Sequence, residues 1–104
     1  MQSLPEPGLA LLAMGKRDVP YDSGLPKPFR LYRPGEGFRE PGKAEVFALN
    51  DQHAYVRLDA GTDWRVGDLV ASGISHPCTA FDKWRFLPVV GDDWTVIDGV
   101  LTFF

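Results

Sequence analysis

Cysteine is nearly missing from this sequence: Cys78 stands alone, so no internal disulfide can form. That absence agrees with a reducing compartment and leaves the thiol to be buried, reactive or metal-bound. A long apolar run is also lacking. The most apolar early stretch, "LALLAM" at residues 9–14, is far shorter than a membrane span and follows Pro5 and Pro7 without a basic leader or small-residue cleavage site. The expectation is a cytoplasmic protein with no membrane partner. Basic charge is sparse and scattered: 11 Lys plus Arg face 14 Asp plus Glu, for a net charge of -3. No stripe exists to track a phosphate backbone, which excludes nucleic acid as the expected partner.

What the chain does have is 11 Gly and nine Pro in 104 residues. A helical bundle would not tolerate them, because Pro removes a backbone donor and Gly adds unfolded-state entropy; short strands and turns use both. The length suits one domain with a single core. The segment "MQSLPEPG" reads as an extended lead-in and "LALLAMGK" as a short buried strand. Residues 18–42 carry five prolines and four glycines and read as an irregular arm with one short strand at "FRLYR". "KAEVFALN" and "HAYVRLD" alternate around a turn at Asn50, Asp51 and Gln52, the clearest hairpin in the chain. "LVASGIS" reads as a strand in which Gly73 marks a bulge or close approach, and "TAFDKW" as one helical turn. "RFLPVV" and "WTVIDGVLTFF" form a second hairpin around Gly91, Asp92 and Asp93, with a further reversal at Asp98-Gly99. Seven or so strands predict a mainly β fold, a small β-barrel or sandwich, spanning residues 1–104 as a single domain.

One triplet carries candidate chemistry: His76-Pro77-Cys78. In an extended chain, residues two apart project to one side, and Pro77 favours extension of its predecessor, so imidazole and thiol reach one ion. Zinc fits a nitrogen and a thiolate, and with two protein ligands the site is open to water or substrate. Two other readings stand beside this one. Cysteine is among the most buried residue types, so the pair can be core. A catalytic thiol needs His76 as its base and has no third group in the sequence to orient it.

Here a resemblance adds to the residues. The stretch "GDLVASGISHPCTAFDKWRFLPVV", with a final hairpin, resembles the C-terminal part of the D-serine dehydratase and D-threonine aldolase-like family, pyridoxal-phosphate enzymes of the alanine racemase fold type. "GKRDVPYDSG" and "LNDQHAYVRLD" resemble further segments of that family. Where the family usually has Pro-Asn-His-x-Cys-Pro, this chain has Ile74-Ser75-His76-Pro77-Cys78-Thr79, similar to an amino-acid deaminase subgroup; Gln52 stands where an acidic residue commonly precedes the hairpin histidine. The aldolase branch typically has Asp at the position of Cys78, so the resemblance favours deamination.

The resemblance implies a C-terminal metal-binding β domain of a pyridoxal-phosphate-dependent D-amino-acid deaminase, with zinc or manganese held by His76 and Cys78. It implies β-elimination on a D-3-hydroxyamino acid, with pyridoxal phosphate (PLP) carried as an imine on a lysine of an N-terminal barrel. A chain of 104 residues cannot contain that barrel, which needs about 200 or more. The missing PLP-barrel domain is therefore an expected partner, self-association into a homodimer another, and the isolated fragment is expected to be inactive. Lys16, Lys27, Lys43 and Lys83 read as solvated charges rather than Schiff-base residues. The alternative from a different class is a stand-alone β-barrel binding or interaction module without catalysis.

Other residues read more plainly. His53 is a partly exposed turn histidine that can approach the site. Trp64, Trp84 and Trp94 supply buried area, Tyr55, Phe47 and Phe86 belong to the core, and Tyr21 and Tyr32 pack at an interface. Arg57 and Arg85 are solvated, and Asp92, Asp93 and Asp98 are turn formers.

Overall fold

Alternation of side chains builds the first sheet. β1 (Ser3–Glu6) and β2 (Leu9–Leu12) form a hairpin, β2 pairs with β6 (Ala54–Leu58), and β6 pairs with β5 (Ala44–Leu49), all antiparallel. Ala10 and Leu12 from β2, Ala54 and Val56 from β6, and Val46 from β5 point to one buried face. A second sheet runs β4 (Gly37–Arg39), β3 (Lys27–Arg33), β7 (Leu69–Gly73). Leu31, 1% exposed, inserts from β3 into the cluster of the first sheet, and Trp64 closes it while donating its indole N–H to the Pro41 carbonyl at 2.7 Å. This computed structural model describes residues 1–104 and is mainly β, a small sandwich-like arrangement with no closed barrel. No helix is long and apolar enough to cross a membrane.

Several elements differ from the sequence reading. Ser3–Glu6 is a strand rather than a lead-in, turned back through Pro7 and Gly8 onto β2. The arm at 18–42 is irregular only as far as Pro26, since β3 and β4 occupy much of the rest. Pro28 is accepted in β3 because the ladder with β7 slips between Pro28 and Arg30, where a missing donor costs least. The irregularity foreseen at Gly73 thus sits across the ladder from it. Asp98 and Gly99 lie inside β9 (Val96–Leu101) and make no reversal. Gly99 is needed for a different reason: a Cβ there would sit 2.4 Å from the Phe86 ring, which lies across it from β8 (Phe86–Val90). Phe47 and Phe86 are 41% and 51% exposed, not core. The ladder slips between Val46 and Ala48, leaving Phe47 on the outer face, where it stacks near Tyr55 and under the Arg57 guanidinium.

β8 and β9 pair only with each other. Their turn reaches back to the second sheet, where Trp94 packs edge-on to Phe38 and near Tyr32, and the Asp92 carbonyl accepts from Arg30. The radius of gyration, 14.0 Å, exceeds the roughly 13 Å of an average compact chain this long, in keeping with extents of 43 × 30 × 18 Å. Only 13 of 104 residues are buried, so a large apolar surface stays uncovered.

Candidate functional site

The loop at residues 15–26 owes its shape to close packing. Gly15 approaches the β5–β6 turn so tightly that a Cβ would meet the Asp51 backbone at 2.5 Å, and the Lys16 and Arg17 amides donate to the Asn50 and Asp51 carbonyls. Pro20 and Pro26 are fully buried, which pins a segment whose φ angles are already restricted. Facing this loop is the segment that follows β7 and includes α1 (Cys78–Phe81).

Three side chains of that segment donate across to the loop. Ser75 Oγ donates to the Gly24 carbonyl at 2.9 Å, His76 Nδ1 to Asp22 Oδ2 at 2.7 Å, and Trp84 Nε1 to the Asp18 carbonyl at 2.7 Å. The hydrogen bond from His76 is the main reason the Asp22 carboxyl sits below the usual carboxylate range, opposed by partial burial and aided by the charge of Lys83. An ionised carboxylate only accepts, so Nδ1 carries the proton of this bond. Lys16 and Lys83 lie 5.5 and 5.8 Å from the centre of the Tyr21 ring, next to Asp22.

The expected extended backbone at the triplet is not found. Pro77 has φ -61° and ψ -25°, in the right-handed helical region, and leads directly into α1. Proline is barred from helix interiors but suits the first turn, where its ring supplies the required φ and no amide is needed. The period-two argument that placed imidazole and thiol on one side therefore does not apply to this backbone. Neither group is sealed in the core: the His76 side chain is 38% exposed and Cys78 is exposed. A ring nitrogen and an accessible sulfur are a donor set that suits a borderline-soft cation such as zinc. No group of three or more His, Cys, Asp or Glu side chains gathers in this chain to hold a metal.

The remaining candidates lie elsewhere. His53 lines a pocket of about 520 Å³ with Lys16 and the Asn50, Asp51 and Gln52 turn, apart from His76. An open groove of about 740 Å³ is lined by Leu4 to Gly8, by Leu58 to Thr62 and by Trp64, and shares no lining residue with the His76 segment. A smaller one of about 360 Å³ does adjoin it, between Ser23, Gly24, Ile74 and Ser75. Trp64 is core, as read from the sequence, whereas Trp84 is 41% exposed and serves as a donor to the loop. Arg57 is exposed and pairs with Glu45. Sequence reasoning missed Asp22 altogether; it lies 54 positions from His76, and only its place in a Pro-anchored loop hints at a fixed position.

A family model described as putative serine dehydratase domain matches residues 1–90, ending within β8. No curated protein matches the chain.

Proposed function

This chain belongs to the putative serine dehydratase domain family, and from that premise we propose that it is the metal-bearing β domain of a pyridoxal-phosphate-dependent D-amino-acid deaminase. The reaction is β-elimination on a D-3-hydroxyamino acid such as D-serine or D-threonine. His76 and Cys78 hold the metal, zinc rather than manganese because a thiolate ligand favours the softer ion. Bound there, zinc supplies Lewis acidity toward the substrate's β-hydroxyl, a poor leaving group otherwise.

The observation that carries this reading is the 2.7 Å hydrogen bond from His76 Nδ1 to Asp22, the arrangement in which the other ring nitrogen is left as a ligand. Exposure of both His76 and Cys78 supports an open site whose coordination is completed by water, substrate or another domain. Pyridoxal phosphate does not fit this chain. Lys16, Lys27 and Lys43 are exposed and Lys83 half-exposed, and no lysine faces a closed cradle. The cofactor belongs to a barrel domain, and without it the β domain turns over no substrate.

One observation favours the alternative of a binding module without catalysis: β9 and the residues after it leave Ile97, Leu101, Phe103 and Phe104 more than half exposed, a surface that a partner covers. The test that separates the two is metal stoichiometry. Chelator-stripped protein dialysed against zinc retains about one ion per chain, and His76→Ala or Cys78→Ser each abolishes retention. Equal retention by the variants, or none by the unaltered chain, removes the metal reading and leaves the binding module.

A further inference from the structure

We infer that Asp22 is the positioning residue that fixes the His76 imidazole as its Nδ1–H tautomer and leaves Nε2 free as the ligand atom. The inference rests, for the identity of what Nε2 binds, on the zinc reading above.

The argument starts from the bond itself. At 2.7 Å the contact is short for a nitrogen donor, as charge-assisted bonds to carboxylates are. No other group of this chain takes the second ring nitrogen, and the side chain is 38% exposed, so Nε2 keeps its lone pair available to something outside the chain. An imidazole in water prefers the opposite tautomer and rotates about two torsions; a carboxylate on Nδ1 reverses that preference and stops the rotation.

A bond between two exposed side chains is usually loose, so its placement needs a reason. Here the reason lies on both sides of it. Ser75 holds Gly24, two residues after Asp22, and Trp84 holds Asp18, four residues before it; all three donors come from the His76 segment and all three acceptors from the loop. Pro20 and Pro26 anchor the same loop in the interior. Asp22 is thus presented to the ring by a frame that does not depend on the ring.

Nitrogen-15 spectra of the imidazole, recorded on the full chain at neutral pH, read the tautomer directly. Zinc affinity is measured in parallel by competition with a chromophoric chelator. The unaltered protein shows Nδ1 protonated and Nε2 bare. Asp22→Ala moves the ring to the Nε2–H form and weakens zinc by about 10- to 100-fold, the usual loss when an outer partner of a ligand histidine is removed. Asp22→Asn, whose amide oxygen still accepts, keeps much of the tautomer and falls between, which guards against a misfolded alanine variant. An Nε2–H ring in the unaltered protein, or no change in tautomer on Asp22→Ala, overturns the inference. An Asp22-dependent tautomer in a chain that binds no zinc leaves the positioning role standing and overturns only the metal reading.

Discussion

Arg33 and Asp68, thirty-five positions apart in the chain, meet as a two-pronged ion pair in the interior, Nε to Oδ1 at 2.8 Å and Nη2 to Oδ2 at 2.9 Å. β3 and the turn before β7 are joined by it. Asp68 is 1% exposed and also accepts from the Arg65 amide, while its carbonyl takes the N-terminal ammonium of Met1. Nη2 also donates to the Asp63 carbonyl, and Nη1 donates to the Asp63 carboxylate and Glu36. A planar cation with its donors this fully used is what makes burial of charge tolerable.

Acid therefore destabilises the fold through this pair. The hydrogen bond from Arg33 holds the Asp68 carboxyl below its ordinary value, with burial opposing and the Arg65 amide assisting. A group whose folded value is depressed contributes stability above its unfolded value, about 3.9, and loses it as pH falls through the folded one. Urea midpoints hold steady from pH 7 to about 5 and drop below about 4. Asp68→Asn removes the one buried anion that pairs with Arg33, leaving the cation only its more exposed partners Asp63 and Glu36, and costs roughly 3 kcal/mol at neutral pH. Its midpoint also falls less steeply in acid than that of the unaltered chain, and parallel acid curves for the two would remove Asp68 from the account.

Gly15→Ala tests whether the Asp22 loop is held from the first sheet. The new methyl meets the Asp51 backbone, which cannot swing aside as a side chain would, so overpacking costs roughly 1–3 kcal/mol. Hydrogen exchange at the Lys16 and Arg17 amides, which donate to Asn50 and Asp51, accelerates in step. Unchanged protection at both amides would mean that the contact is not holding the loop.

Ile97 and Leu101, four positions apart on β9, are 68% and 64% exposed, and each strand of their hairpin keeps a free edge. Sedimentation of the unaltered chain is expected to show concentration-dependent self-association, and Ile97→Lys with Leu101→Lys to return it to a monomer. A single monomeric species at every concentration would mean that this hairpin does not pair with itself.

The mainly β character was legible in the sequence because period-two patterning and turn residues act locally: "KAEVFALN" and "HAYVRLD" became β5 and β6 around the foreseen turn. Gly91, Asp92 and Asp93 likewise turn β8 into β9. Pro77 was the local signal read in the wrong direction, since the same ring that bars a helix interior opens a helix. Phe47 and Phe86 were assigned to the core by residue type, yet two thin sheets have room inside for only a few small and branched side chains.

By itself the sequence determined the mainly β character, the turns of the β5–β6 and β8–β9 hairpins, which family the chain resembles, and that a histidine and the lone cysteine stand two apart. It could not show that Asp22 meets His76 or that Arg33 meets Asp68, because contacts across 54 and 35 positions leave no trace in local periodicity. Those meetings were decided when the sheets packed and brought a proline-anchored loop against the segment after β7. Charge and hydrogen-bond geometry act through space, and only the folded chain sets those distances.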